Sequence, residues 1–596
     1  MHRASPPFLA ALLALSACGG SQTQNPSGGG AGGSTNQGGS AQPTGGGDAG
    51  AGGQDPGSVD ALALPPASEV NDGRFATASV CARCHASSDA ATAMRDETGA
   101  AIAFSDLWRS TMMASSARDP FFRAVVSAEV AASPSNEGAI QNKCLRCHAP
   151  MAHVSGELDG APAAWSVLTA TTPDGSLARD GVSCAVCHQI EPDDLGEVAS
   201  FSGGFHIAAE GRMYGPHSAP FSMPMVNNTG FSPVAADHVT ESALCASCHT
   251  LETSAFDEDG QPNGFVLAEQ MPYLEWRSSA FQTESSPGPD AASCQDCHVP
   301  TVSDAGVPIL SAIARNPMGG DFGPVGPRQP FGRHLFIGGN AFMLTLLRDW
   351  AELLGVDAPA AAFDRTIALT RQQLAERSAT VQVVSAVRDG DAIELVVQLT
   401  NLAGHKFPTG HPARRAWLRV AATSGGGAMV FRSGGVDDDG HLVDAAGGIL
   451  PSELSGGSYQ PHRDLLTADD QVYLLEATMG DEQGAPTYLL LRGSQYLKDS
   501  RLLPRGWQSP VSAAIAPVGT EGDATFVGGG DQVRYRFPAP VGAVSIEVTL
   551  LYQSLSRRYL DEIFAWGTPE TKGFRLMWQA ADRTPERIAE ATVTVN

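Results

Sequence analysis

The rhythm of apolar and polar positions divides the chain into five stretches. Residues 1–18 carry a short apolar run, Phe8–Leu15, behind the polar His2 and Arg3. The run is too short to cross a bilayer and reads as an export leader. Residues 19–71 are rich in Gly, Ser, Gln, Asn and Pro, cannot bury a core, and predict a flexible tether. Residues 72–349 show only short helical patterns, at Ser105–Ser116, Pro120–Ala131 and the turn from Thr240 into Cys245, among Gly/Pro-rich loops at Gly203–Pro224 and Asn316–Pro330. Helical periodicity is clearer at Asn340–Glu352 and Ala362–Ser378, where Phe363, Ile367 and Leu374 fall near one face. These helices predict a connector over 350–378.

Beyond Ala379 the period changes to two. Val381–Val384, Ile393–Val397, Trp417–Val420, Val472–Leu475, Tyr488–Leu491, Val533–Phe537 and Val544–Leu551 read as strands, many separated by Gly-rich turns. Residues 379–596 are therefore expected to form an all-β, immunoglobulin-like sandwich. The fold class is multidomain: a mainly α and irregular region, then a β-sandwich.

The chain has 596 residues, 42% hydrophobic and 17% charged, a globular composition. Its formal charge of −26 disfavours nucleic acid and steers the protein towards partners with basic docking surfaces.

What changes the picture is a repeated motif. Cys81-Ala-Arg-Cys84-His85, Cys144-Leu-Arg-Cys147-His148, Cys184-Ala-Val-Cys187-His188, Cys245-Ala-Ser-Cys248-His249 and Cys294-Gln-Asp-Cys297-His298 share the order C-x-x-C-H. Zinc ribbons pair C-x-x-C motifs without needing the His, and thioredoxin-like centres carry one motif. Five motifs, each with its His, predict five covalent c-type haems. Each cysteine pair would bond one porphyrin, and His85, His148, His188, His249 and His298 would ligate iron. The rings would supply apolar surface that the side chains of 72–349 lack.

Of 11 cysteines, only Cys18 lies outside the motifs. Leu15-Ser16-Ala17-Cys18 resembles a lipobox, so Cys18 is expected to carry lipid, the chain's one attachment to a membrane. No Asp follows Cys18, which favours the outer membrane or cell surface of a bacterial envelope.

Each iron needs a sixth ligand or an open site. Nine histidines remain for that role: His153, His206, His217, His238, His334, His405, His411, His441 and His462. The leading candidates are His238 at the start of the fourth motif's segment, His334 opening an expected helix, and His405 in the turn Gly404-His405-Lys406-Phe407-Pro408-Thr409-Gly410. His206 and His153 follow. His411 stands too close to His405 for both to ligate easily, and His441 and His462 read as surface residues. Met112 and Met113 are alternative donors, though methionines more often pack in cores.

The run Trp108–Phe122, GVSCAVCH, SALCASCHT, Tyr273–Trp276 before CQDCH, and GHKFPTGHPARRAW resemble bacterial multihaem cytochromes of the cytochrome c-554 and hydroxylamine-oxidoreductase group. GHKFPTG and Asp499–Pro504 resemble a β-sandwich appended to some of them. The resemblance implies closely stacked, mainly bis-histidine haems and electron transfer at the cell envelope. An oxidoreductase acting on a small nitrogen or sulfur compound at one open haem is the alternative. All five motifs end in His, whereas pentahaem nitrite reductases typically place Lys at their active haem. A binding module built on Trp417, Trp507 and Trp566 would concern the sandwich alone, where core packing is the ordinary role of such residues.

Overall fold

The computed structural model describes residues 57–208 and 210–596; the leader, Cys18 and most of the expected tether lie outside the described residues. In the first half, each motif occupies a short helix: Ala78–His85, Glu137–His148, Cys184–Cys187, Ser242–His249 and Cys294–His298. One helical turn puts the two cysteines, three residues apart, on the same face. Pro120–Ala132 follows the predicted helix closely: Pro120 begins it, and the Asp119 carboxylate accepts from the Phe121 and Phe122 amides at 2.8 and 3.3 Å.

Three expectations fail in this half. The helix expected over Ser105–Ser116 stops at Phe104–Trp108. Beyond it, Trp108 Nε1 donates to the Val182 carbonyl and the Met113 carbonyl accepts from Val182 N–H, which ties the chain to the approach of the third motif. The loop Gly203–Pro224 contains a strand, Arg212–Gly215, paired in parallel with Ser232–Ala235. No helix opens at His334: Arg333 N–H donates to the Pro300 carbonyl and Phe336 N–H to the His298 carbonyl. The backbone bonds that a helix would keep to itself go instead to the fifth motif.

The C-terminal region is built of two large β-sheets, as the period-two pattern predicted, with a further two-stranded pair, Gly435–Val436 and Leu442–Val443. One sheet orders Leu465–Leu466, Gly530–Pro538, Ala392–Asn401 and Ala379–Asp389. The other orders Pro486–Thr487, Leu474–Gly480, Arg415–Ser424, Val544–Gln553 and Glu586–Val595. Ile393, Leu395, Val397 and Leu399 of the first sheet pack in one core with Leu418, Val420, Ile546 and Val548 of the second. Two helices that the pattern missed, Arg557–Ala565 and Pro569–Ala580, leave this region. Their Tyr559, Ile563, Phe574 and Trp578 share a second core with Phe121, Leu344, Leu347 and Phe363. The helices Ala341–Asp349 and Ala360–Arg377, expected as a connector, are thus buried in a joint core, and residues 56–596 form a single compact unit.

Residues 57–71, expected to belong to the tether, pack against the rest of the chain. Val59–Leu62 makes a helical turn with Leu62 buried, and Arg123 donates to its carbonyl at 2.6 Å. Among the described residues no helix is long and apolar enough to cross a membrane.

The segment Tyr488–Leu491, expected as a strand, instead enters the short 3₁₀ turn Leu490–Arg492. Its amides donate across the molecule: Leu490 N–H to Glu129 Oε1 at 2.5 Å and Leu491 N–H to Oε2 at 3.4 Å. Burial pushes the Glu129 carboxyl up to about 8. The folded state therefore binds a proton that the unfolded chain releases near pH 4. This contribution is whole below that value and lost as pH rises through about 8. Melting temperatures of Glu129→Gln and wild type, compared between pH 5 and 9, should show wild type losing stability relative to the variant as pH rises. A constant difference would mean that Glu129 does not titrate there.

Candidate haem sites

The motif histidines share one arrangement. His85 Nδ1 bonds to the Ile313 carbonyl at 2.9 Å, His148 to Ser116 at 3.0 Å, His188 to Tyr214 at 2.6 Å and His298 to Ile337 at 2.9 Å. A carbonyl oxygen only accepts, so each Nδ1 carries the proton and each Nε2 keeps its lone pair. Burial holds the rings neutral, His148 and His298 down to about 4, with His85 and His188 also lowered. A neutral imidazole with a free Nε2, oriented through Nδ1, is the form that ligates iron. The residues therefore fit the group that the motifs imply. His249 is the exception: the residue is exposed, desolvation by its neighbours lowers its ring, and the ring makes no hydrogen bond among the described residues.

Two of the expected distal histidines share this form. His334 Nδ1 bonds to the Gly332 carbonyl at 3.0 Å, and burial pushes its ring down to about 4. Its ring centre lies 6.2 Å from that of His188, with planes 14° from parallel. Two imidazoles on opposite sides of one metal, bonded at about 2 Å with each centroid roughly 1 Å behind its nitrogen, sit about 6 Å apart. Phe104, at 4.9 Å, and Phe336, edge-on at 5.6 Å, wall the His334 ring. His405 Nδ1 bonds to the Lys406 carbonyl at 3.0 Å; its ring is half-buried, lowered by desolvation, and stands close enough to His298 and His249 to lower both.

The others are placed differently. His238 gives Nε2 to the Ile190 carbonyl at 2.9 Å and stands edge-on to Tyr214. His206 is exposed. His153 turns Nε2 towards Arg146 and Glu157. His411, set aside for its closeness to His405, is half-buried near His148 and kept neutral by desolvation, down to about 3. Its Nδ1 accepts from the Ala413 amide at 3.2 Å, which leaves the proton on Nε2, the tautomer opposite to that of the motif histidines. Met112 packs against the joint helical core.

The cysteines show which motifs are neighbours. The Cys81 thiol meets Cys184, Cys147 meets Cys248 and Cys294 meets Cys245. Cys187 lies near enough to both Cys245 and Cys248 to raise them. The motifs thus form one connected array: first to third, third to fourth, with the second and fifth both against the fourth. Spacing along the chain gave no sign of this order.

Behind His405 lies a buried set of charges that spans both halves of the molecule. Lys406 Nζ reaches Asp499 at 2.6 Å; Arg501 pairs with Asp499 through Nε and Nη2, both at 2.8 Å, and with Glu275 at 3.0 Å. Glu275, on the helix Pro272–Arg277, also accepts from the Lys406 amide at 3.1 Å. The motifs YLEW, GHKFPTG and DSRLLP meet at this point.

No protein-family model and no curated protein match this chain. Among solved structures it is similar to a penta-heme cytochrome c552 from Thermochromatium tepidum, at 15% identity and a TM-score of 0.48, over 87% of this chain and 99% of that one. A likeness of that degree carries no weight beside the histidine geometry.

Asp499 is held well below the usual carboxylate range, against the pull of burial, by Arg501 and Lys406. Asp499→Asn would leave two buried cations facing Glu275 alone, a loss of about 3–5 kcal/mol in denaturant unfolding at pH 7. Because the folded carboxyl stays ionised below its unfolded value, the stabilisation is present above about pH 4 and fades as pH falls further. The gap between wild type and variant should narrow in the same range.

Proposed function

We propose that the chain is a pentahaem c-type cytochrome that carries electrons at the cell envelope. The observation that carries this reading is the shared tautomer: four motif histidines, with His334 and His405, keep Nε2 free by bonding Nδ1 to a backbone carbonyl. Bound haem would supply one-electron redox chemistry. The protein's part is to fix the imidazoles, exclude water and hold five attachment sites in one array. His188 with His334, and His298 with His405, are the pairs that would hold iron. The acidic surface suits a partner with a basic docking face, and lipid on Cys18 would hold the protein at a membrane.

One observation keeps an oxidoreductase in view. Among the described residues, only His334 and His405 outside the motifs bond Nδ1 to a backbone carbonyl. His85, His148 and His249 lack such a partner, and Arg414 is the charge that acts most strongly on His249. An iron on one of these three would keep an open position for a small nitrogen or sulfur compound.

Mass spectrometry of the mature protein should show five haem additions. Magnetic circular dichroism of the oxidised protein should then count low-spin bis-histidine haems. His334→Ala and His405→Ala should each convert one haem to high spin and open it to carbon monoxide. Unchanged low-spin spectra in both variants would overturn the axial pairing. Turnover of nitrite or hydroxylamine on the order of 1 s⁻¹ or faster would favour the enzyme.

Cys18→Ala should move the protein from the membrane fraction to the soluble fraction. A variant that stays membrane-bound would rule out the lipid anchor.

A further inference from the structure

A second constellation lies in the C-terminal region. His462 Nε2 stands 3.0 Å from Asp523 Oδ2 and 3.7 Å from Asp531 Oδ2. The three side chains are almost closed to solvent, at 4%, 4% and 0% exposure. Their donor atoms all lie within 4.8 Å of one another. Among the described residues, neither carboxylate has an arginine or lysine within ion-pair distance; His462 is the one basic group they face. Two carboxylates against one imidazolium leave a negative charge buried without compensation, which is costly.

We propose that His462, Asp523 and Asp531 bind a divalent d-block cation of the Zn²⁺ class. One nitrogen and two carboxylate oxygens suit such an ion, whereas Ca²⁺ calls for six to eight oxygens. Donors bonded at about 2.0–2.2 Å around a tetrahedral ion lie about 3.3–3.6 Å apart, and the observed separations bracket that range. With His462 neutral, the ion balances both carboxylates. Hydrogen bonds from groups behind the carboxylates orient them, as around structural metals. Tyr473 O–H donates to Asp531 Oδ2 at 2.6 Å, and the Thr525 hydroxyl, 2.6 Å from Asp523 Oδ1 and 2.9 Å from Asp531 Oδ1, can give its one proton to either. Asp531 belongs to the strand Gly530–Pro538, while Asp523 and His462 lie outside any strand. The ion would therefore staple two loop segments to the first sheet.

The test needs haem-loaded protein, so that thioether bonds keep the motif cysteines from binding zinc. After chelator treatment, Zn²⁺ is titrated into wild type, His462→Ala and Asp523→Asn. Elemental analysis, with haem iron as internal standard, is combined with thermal melts followed by far-ultraviolet circular dichroism. Wild type should take up one equivalent and melt at higher temperature with the ion than without it. Each variant should bind at least tenfold more weakly and lose the melting shift while keeping its β spectrum. If His462→Ala is poorly folded, Asp523→Asn, on a surface loop, gives the same readout. No uptake by wild type, or equal uptake by wild type and a folded variant, would overturn the proposal.

Discussion

Each buried imidazole meant for iron must keep its Nε2 lone pair, so its Nδ1 proton needs an acceptor. For four of the motif histidines that acceptor is a backbone carbonyl distant along the chain, at Ile313, Ser116, Tyr214 and Ile337; for His334 and His405 it is a carbonyl close by, at Gly332 and Lys406. A main-chain carbonyl cannot donate or rotate away, which makes it a better tautomer lock than a hydroxyl. The requirement accounts for the form of the first half. Its loops follow the positions of five histidines rather than the preferences of their own residues, and its helices are cut short where a carbonyl must face a ring.

The same constraint explains the link to the β-region. His405 sits in a turn between two strands yet lies among the histidines of the other half, and the charges behind it are shared by both halves. A buried ion network is a poor source of net stability, since desolvation offsets much of its attraction. It is nonetheless selective. Lys406, Asp499, Arg501 and Glu275 neutralise one another only when the helix Pro272–Arg277 docks in one position. That position also sets His405. Glu129 acts in the opposite direction, from the first half onto the amides of Leu490 and Leu491, and turns an expected strand into a cap.

The five motifs were legible in the sequence because each is local. A C-x-x-C-H motif places its donors within one helical turn whatever surrounds it, and period-two alternation along Ile393–Val397 or Val544–Leu551 follows from one buried sheet face. His405 stood out for its turn between two strands, whereas His334 was singled out for opening a helix that does not form. What the sequence could not decide is non-local. The pairing of His334 with His188, the order of the motifs in space, the proton on Nδ1, the helices Arg557–Ala565 and Pro569–Ala580 closing on Phe121, and the fate of Tyr488–Leu491 all depend on partners far away along the chain. Hydrogen-bond acceptors and buried countercharges carry no periodicity, so only the folded chain could assign them.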